Sequence, residues 1–348
     1  MIFNSIQYGI FLPIVFIIYW SISHKYRWIF LLITSYYFYM SWNVKYVVLI
    51  LFITGISFAG GIIIDHLKQQ NKKRLILILG ISISIILLFV FKYFDFFNIS
   101  FCNILQYFTI NLHPVTLNLI LPVGISFYTF QAIGYMVDVY RGDVRAEKHF
   151  GIFATFISFF PQLVAGPIER TSDLLPQIKK EKFFNYEQAV LGLKLIVWGL
   201  FKKILIADVV APYVDVVYND PVSYNGFALL LASLLFTIQI YCDFSGYSDI
   251  AIGSAKLLGI ELMTNFSHPY FSRSIREFWK NWHISLSSWF QDYVYISLGG
   301  NQKGNIRKNI NTLLTFGLSG LWHGANWTYV FWGGVHGMIT YNKLRKFN

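Results

Sequence analysis

Two histidines stand in one apolar, aromatic stretch late in the chain, GLSGLWHGANWTYVFWGGVHG at residues 317–337. The stretch also contains an asparagine and six glycines, and it lacks lysine, arginine, aspartate and glutamate. An ionisable side chain at membrane depth is costly and is therefore a functional candidate. Because histidine exchanges a proton near neutral pH, His323 and His336 predict a proton-transfer site inside a membrane enzyme.

Two other interpretations of these histidines stand beside proton transfer. Either histidine could be a core residue that forms a hydrogen bond with a neighbouring helix. Both could instead bind a metal ion. On one straight helix, however, His323 and His336 would lie about 140° apart around the axis and about 20 Å apart along it. That separation disfavours a shared ion, so no metal site is predicted.

The composition predicts the environment in which these residues work. The chain has 348 residues, of which 55% are hydrophobic and 13% charged, against about 25% charged in soluble domains. A spanning helix needs about 20 apolar residues, so the length allows roughly 8–11 membrane helices. Separate apolar runs favour helices over a barrel. We predict an all-α polytopic membrane protein with a single membrane domain over residues 1–348.

The net charge of +11 lies in short clusters between the apolar runs. The positive-inside rule explains such clusters better than nucleic-acid binding, for which no RNP motif or zinc finger is present. The lipid bilayer is therefore the expected partner. Cys102 and Cys242 form no metal-binding spacing and are expected to be structural. The N-terminal segment lacks a basic region and a cleavage motif, so residues 6–20 are predicted to be the first span.

The apolar runs divide the chain into predicted spans and connections. Residues 94–118 are predicted to be a polar connection, and residues 171–185 a surface loop. Two prolines and a glycine in FFPQLVAGPIER at residues 159–170 predict a re-entrant turn or a bend at the cytoplasmic edge. The spans are predicted at about 6–21, 28–42, 46–64, 75–93, 187–206 and 225–242.

Polar residues in apolar surroundings supply further candidates. Gln131 and Asp138 both lie in LPVGISFYTFQAIGYMVDVYRG at residues 121–142. Either side chain could form interhelical hydrogen bonds or line a site. Asp243 lies in YCDFSGYSDIAIG at residues 241–253. It could cap the start of a following helix or line a substrate channel.

The segment at residues 265–290 combines an apolar stripe with basic residues. The stripe, with three- and four-residue spacing, predicts one amphipathic helix at the cytoplasmic interface. Outside this stripe, basic side chains could meet acidic phosphates or lipid headgroups. His283 could face inward to a cofactor or lie at headgroup level. The stripe comprises Phe271, Ile275, Phe278, Trp282, Leu286 and Trp289, and the basic residues are Arg273, Arg276 and Lys280.

Taken together, these stretches resemble the membrane-bound O-acyltransferase (MBOAT) family, and within it the bacterial alginate O-acetyltransferase-like branch. The resemblance rests on the motifs at 121–142, 159–170 and 241–253, on FWKNWHISLSSW at 278–289 and on GLWHGANWTYVFWGGVHG at 320–337, in family order. It implies helices around a thin central funnel. Members of this branch usually continue with further helices beyond the second motif histidine, so this chain is expected to lack them.

The resemblance also implies roles for individual residues. The family's essential histidine falls on His323 and its second polar position on His283, which makes these two the catalytic candidates. His336 matches a further family histidine. The implied reaction transfers acetyl from a cytoplasmic thioester donor, with acetyl-CoA expected, to hydroxyls of an exported polysaccharide such as alginate or peptidoglycan. Periplasmic acetylation partners and a bacterial inner-membrane location are expected with it.

Acyl transfer needs a base for the hydroxyl and donors for the developing oxyanion. His323 is the expected base. Asn326, Trp322 or glycine N–H groups are candidate oxyanion donors, His283 would orient the thioester, and Arg273, Arg276 and Lys280 are weaker candidates for binding the CoA phosphates. D-alanyl transfer to teichoic acid from a carrier protein is the enzymatic alternative, and a transporter or flippase is the non-enzymatic one.

Overall fold

The structure is a computed structural model that describes residues 1–164 and 166–342, with side chains described up to residue 340. Its regular elements in those ranges are helical, as predicted. The helices, in chain order, are α1 (Ile6–Ser21), α2 (His24–Met40), α3 (Val47–His66), α4 (Gln70–Lys92), α5 (Phe94–Tyr107), α6 (Ile125–Arg141), α7 (Phe150–Ser158), α8 (Phe160–Leu163), α9 (Thr171–Lys179), α10 (Tyr186–Leu200), α11 (Asp208–Asn219), α12 (Gly226–Leu257), α13 (Ile275–Asn281), α14 (Ile284–Trp289), α15 (Gly304–His323) and α16 (Trp327–Asn342).

Within residues 1–164 and 166–342, three helical stretches are long and apolar enough to cross a membrane. They are Val44–His66, Gln70–Lys92 and Gly226–Leu257, with mean hydropathies of 2.7, 2.8 and 1.8. The apolar helix α1 is shorter than these, at 16 residues. The all-helical membrane fold predicted from composition is therefore confirmed. The predicted central funnel stays a prediction.

The chain divides into two compact units. The first unit comprises Met1–Leu51 and His149–Phe266, and the second comprises Phe52–Lys148 and Ser267–Asn348. Each unit is built from two separate parts of the chain, so the division follows packing rather than chain order. The histidine-containing motifs at 278–289 and 320–337 belong to the second unit, whereas the motif at 241–253 belongs to the first.

In the first unit, α10 and α12 pack against each other through glycine residues. A Cβ atom added to Gly199 would lie 2.6 Å from the carbonyl oxygen of Gly246, so only glycine permits this approach. Helix α12 runs unbroken for 32 residues and includes Asp243. Asp243 is therefore inside a helix, and its interpretation as an N-cap that opens a new helix is wrong.

Two connections predicted to be irregular are partly helical. The first part of 94–118 forms α5, whose carboxylate Asp95 accepts the backbone N–H groups of Leu117 and Asn118 at 2.8 and 3.1 Å. Residues 171–179 form α9 instead of a surface loop, because Leu174 and Leu175 are buried. Charge and turn residues in these segments hid short amphipathic helices.

The bend predicted at 159–170 is present around the short helix α8. Pro161 lies in its first turn, and regular helix ends at Leu163. Glu169, which follows, is buried, and one of its carboxylate oxygens accepts the Met263 N–H at 2.8 Å. Burial raises the pKa of Glu169 to about 8, and the Met263 N–H opposes part of that rise.

Candidate active site

The stretch with which the sequence analysis began is a helical hairpin. Helix α15 ends at His323, residues 324–326 reverse the chain, and α16 begins at Trp327. The straight-helix geometry that separated His323 from His336 is therefore wrong. Gly320 and Gly333 face the opposite backbones, since a Cβ at either position would overlap a carbonyl oxygen of the other helix. Both glycines are needed for this close packing.

Trp332 lies between the two histidines of the hairpin. Its ring centroid is 5.2 Å from that of His323 and 4.8 Å from that of His336. His336 also contacts Trp279 of α13 at 5.2 Å, and its Nδ1 is buried without a hydrogen-bond partner among the described residues. Aromatic rings therefore surround His336, and the structure places it one indole away from His323.

His323 has a defined proton arrangement. Its Nδ1 lies 2.7 Å from the carbonyl oxygen of Ser319, one turn earlier in α15. A carbonyl only accepts hydrogen bonds, so Nδ1 carries a proton, and in the neutral imidazole Nε2 then keeps its lone pair. This is the tautomer that a general base needs at Nε2.

His283 is brought to the same place by a break in the predicted amphipathic helix. Its backbone has φ of 43°, in the left-handed region, and it separates α13 from α14. A continuous helix through residues 271–289 is therefore a wrong prediction. The break leaves His283 1% exposed, with its ring 5.7 Å from that of Trp322. A left-handed non-glycine residue costs backbone strain, which concentrates at functional sites.

Trp322 connects the two catalytic candidates. Its ring centroid lies 5.0 Å from that of His323, and α6 packs on it through Phe127 and Phe130 at 5.6 and 6.0 Å. The Trp322 side chain is 9% exposed, and its indole Nε1 is buried with no hydrogen-bond partner in the described part of the chain. An unused buried donor is costly, and oxyanion binding is a use for it.

The other candidates have varied surroundings. Asn326 is exposed, and its Oδ1 accepts the backbone N–H of Thr328 at 3.0 Å, so this oxygen caps the start of α16. Gln131 is buried in α6. Asp138 accepts the Tyr293 hydroxyl at 2.7 Å, which supports an interhelical role for it. Asp243 pairs with Lys203 in the first unit.

Two of the three basic candidates line one cavity of the second unit. Arg276 and Lys280 share this cavity of about 370 Å³ with serine and threonine side chains, including Ser319 of α15. Arg273 is absent from the lining, and its backbone N–H donates to Glu277 at 2.8 Å. The cavity therefore combines two cations with hydroxyl groups.

A lysine that the sequence analysis passed over completes the site. Lys92, the last residue of α4, donates hydrogen bonds to the carbonyl oxygen of Trp322 and, at 3.2 Å, to the Ser126 hydroxyl. It was counted within the apolar run at 75–93. An ionisable residue inside such a run is itself a signal. Its partners Ser126 and Trp322, however, lie 34 and 230 residues away in sequence, and residue spacing does not reveal such contacts.

These observations define the class of protein: a helical membrane protein with two histidines gathered around one tryptophan. A family model for the membrane-bound O-acyltransferase family, MBOAT, matches residues 148–342, more than half of the chain. The chain belongs to the MBOAT family. The resemblance drawn from the sequence motifs is therefore confirmed.

Curated relatives support the same conclusion and differ in what they transfer. The chain is 40% identical over 342 residues to the probable alginate O-acetylase AlgI of Azotobacter vinelandii, covering 97% of this chain and 67% of the relative. It is 38% identical over 334 residues to the peptidoglycan O-acetyltransferase of Helicobacter pylori, covering 88% and 62%. It is 31% identical over 258 residues to the teichoic acid D-alanyltransferase of Streptococcus thermophilus, covering 69% and 61%. The chain thus spans about two thirds of the length of these relatives.

Proposed function

We propose that this chain is an O-acetyltransferase that moves acetyl from a cytoplasmic thioester, acetyl-CoA, to hydroxyls of an exported polysaccharide. The observation that carries the proposal is the hydrogen bond from His323 Nδ1 to Ser319, which leaves Nε2 as a base. The higher identity to relatives named as acetylases favours acetyl over D-alanyl transfer. Acetylation partners on the periplasmic side and a bacterial inner-membrane location are part of this proposal.

In the proposed reaction, the acceptor hydroxyl gives its proton to Nε2 of His323 as its oxygen attacks the thioester carbonyl carbon. The tetrahedral intermediate then collapses and the carbon–sulfur bond breaks. The leaving thiolate receives the proton back from His323, so the products are the acetyl ester and the free thiol. The indole N–H of Trp322 is the buried donor suited to the oxyanion, and His283 orients the donor from the other side of that indole.

The cavity beside Arg276 and Lys280 is the proposed donor site. Two cations suit phosphate groups, and the hydroxyls lining the cavity suit the amides of a pantetheine arm. Ser319 lies one helical turn before His323, so an arm bound here would bring its thioester to the base. The alternative role for Arg276 and Lys280 is anchoring to lipid headgroups. If that is their role, their removal leaves the affinity for acetyl-CoA unchanged.

The experiment compares acetate-ester content of exported polysaccharide and peptidoglycan in cells expressing the wild type, His323→Gln or His66→Gln. His66 is a matched control because its Nδ1 also bonds to the carbonyl four residues earlier, Ile62, at 2.8 Å, while the residue is exposed. Ester with the wild type and His66→Gln, and none with His323→Gln, supports the proposal. Ester made equally by His323→Gln would overturn the assignment of the base.

A second arm tests the acyl group and the donor site. Release of D-alanine in place of acetate would favour the D-alanyl alternative, and substrate movement that survives His323→Gln without any ester would favour a transporter. In membranes that acetylate, the double variant Arg276→Gln/Lys280→Gln is expected to raise the KM for acetyl-CoA at least about tenfold, with Arg273→Gln near the wild type. Equal KM values for all three proteins would assign the cations to lipid binding.

A further inference from the structure

The end of α15 presents a structural problem that its own helix does not solve. The last four carbonyl groups of a helix have no partner within it. In α15 these include Leu321 and Trp322, and they directly precede His323. Gly324, which follows, has extended backbone with φ of −167°, so no helix-capping turn covers these carbonyls. The turn that carries the base must therefore be held from outside.

Helix α4 supplies that hold with two consecutive residues. The Lys92 ammonium group donates to the carbonyl oxygen of Trp322, and the Tyr93 hydroxyl donates to that of Leu321 at 3.2 Å. The Lys92 ammonium also donates to Ser126 of α6. Three helices of the second unit, α4, α6 and α15, thus meet at one nitrogen atom next to the base.

The charge of Lys92 also fits this position. A helix C-terminus carries partial negative charge, which a cation stabilises. The ammonium nitrogen lies 5.3 Å from the centroid of the Trp322 ring, close enough for a cation–π contact. No carboxylate pairs with Lys92 within the residues that the structure describes, so its charge acts on the end of α15 and on the indole beside His323.

We propose that Lys92 is a positioning residue for His323. Its ammonium group fixes the last turn of α15, in which the Ser319 carbonyl holds Nδ1 of His323 and directs the Nε2 lone pair. The inference rests on the proposed function for its effect on turnover. Its effect on the His323 tautomer follows from the geometry of α15 alone.

The experiment uses the purified full chain with four substitutions. Lys92→Met removes the charge and the hydrogen bonds, whereas Lys92→Arg keeps both. Tyr93→Phe removes one carbonyl partner without a change in charge, and Lys68→Met removes an exposed lysine of the same unit. For each protein, kcat and the KM for acetyl-CoA are measured. The ¹⁵N NMR signals of labelled histidine report the tautomer, with His323 assigned by their loss in His323→Gln.

We expect Lys92→Met to lower kcat about 10²-fold with an unchanged KM, as misplacement of a catalytic group does. Its His323 is expected to populate both neutral tautomers, whereas the wild type shows the single Nδ1–H form. Lys92→Arg should recover most of the turnover and the single tautomer, and Tyr93→Phe should lose less than tenfold. A structural role without positioning would not produce this split between kcat and KM.

Wild-type kcat and a single tautomer in Lys92→Met would overturn the proposal. So would a Lys92→Arg protein that is folded but as slow as Lys92→Met, or a Tyr93→Phe protein that loses as much as Lys92→Met. If no variant and no wild-type preparation transfers acetyl, the proposed function fails, and the tautomer comparison alone decides the role of Lys92. A mixed tautomer in Lys92→Met and a single one in Lys92→Arg then supports it.

Discussion

Glycine allows close packing within two helix pairs of this protein, α10 with α12 and α15 with α16. The polar groups beside the first pair have hydrogen-bond and ion-pair partners, whereas those beside the second pair are partly without partners among the described residues. Next to the α10–α12 pair, Lys202 is buried with two polar partners, Asp249 at 2.7 Å and the Ser245 hydroxyl at 2.9 Å. Next to the α15–α16 pair, His323 keeps a lone pair, and the Trp322 indole N–H has no hydrogen-bond partner among the described residues. The two pairs share a packing device and differ in what their polar groups leave available.

The polar groups of the first region stabilise helix packing, whereas those of the second region remain available to a substrate. Lys203 repeats the pattern of Lys202, because it pairs with Asp208 at 2.7 Å and with Asp243. A buried ion pair whose members are mutually satisfied offers nothing to a substrate and holds its helices in place. A neutral imidazole with an open nitrogen does the reverse. Ionisable groups are at least partly buried in both regions, and in the second one His323 keeps a nitrogen lone pair that a substrate can meet.

The largest expected effect is on acetyl transfer, at His323 in the α15–α16 hairpin. His323→Gln should lower acetyl transfer by about 10²–10⁴-fold, because it removes the proposed general base, while thermal unfolding in detergent stays close to the wild type. Ester formation in membranes measures the first quantity and a melting curve the second. If the His323→Gln protein loses turnover only in proportion to its loss of folded protein, His323 has a structural role like that of Lys202.

The converse change lies in the other region. Lys202→Met should lower stability by about 3 kcal/mol, because it leaves the partly buried carboxylate of Asp249 without its partner. Lys194→Met is the matched control, since Lys194 is an exposed lysine of α10, the helix that directly precedes the segment of Lys202. The unfolding midpoint in denaturant measures the effect. Equal midpoints for the two variants would show that the buried pair contributes nothing to holding α10 and α12.

Glu169 tests whether a carboxylate of the first unit without a lysine partner behaves differently. Its pKa is about 8 in the folded chain against 4.5 for the free side chain, so the folded state binds more protons between these values. Stability should therefore be full below pH 4.5 and fall as pH rises towards 8, by a few kcal/mol at most. Glu169→Gln should remove this dependence. Unfolding midpoints at pH 5 and 8 that shift equally in both proteins would contradict it.

The smallest effect is expected at the unused donor. Trp322→Phe keeps an aromatic ring and removes the N–H, so it should lower kcat about tenfold if that donor meets the oxyanion. Stability should change little, since the donor had no partner to lose. Turnover and melting temperature of the same preparation provide the measurement. An unchanged kcat would leave oxyanion binding to backbone N–H groups or to the Asn326 amide nitrogen.

The sequence predicted the helical class and the boundaries of α1 to α4 well, because long apolar runs have one stable form in a membrane. It did not predict the reversal at residues 324–326 or the break at His283. Both lie in segments whose local pattern favours a continuous helix. They depend on contacts such as Gly320 against α16, which appear only after the helices pack.

The candidate site was predicted in its residue types and less in its geometry. His283, Trp322 and His323 do meet, although the straight-helix estimate had kept His336 away from them. The roles of these side chains stay predictions. Lys92 and Lys202 were missed because a lysine near the end of a span commonly marks the membrane surface. Their actual partners lie on other helices, and periodicity contains no information about those.

The hairpin of α15 and α16 has a consequence for how the protein is made. Three residues join the two helices, and their backbones meet at glycine, so these contacts form only after both helices have been synthesised. Gly333 follows His323 in the chain, so the end of α15 lacks this packing until that part of α16 has been added. The surroundings of His323 are therefore completed by residues that are synthesised after it.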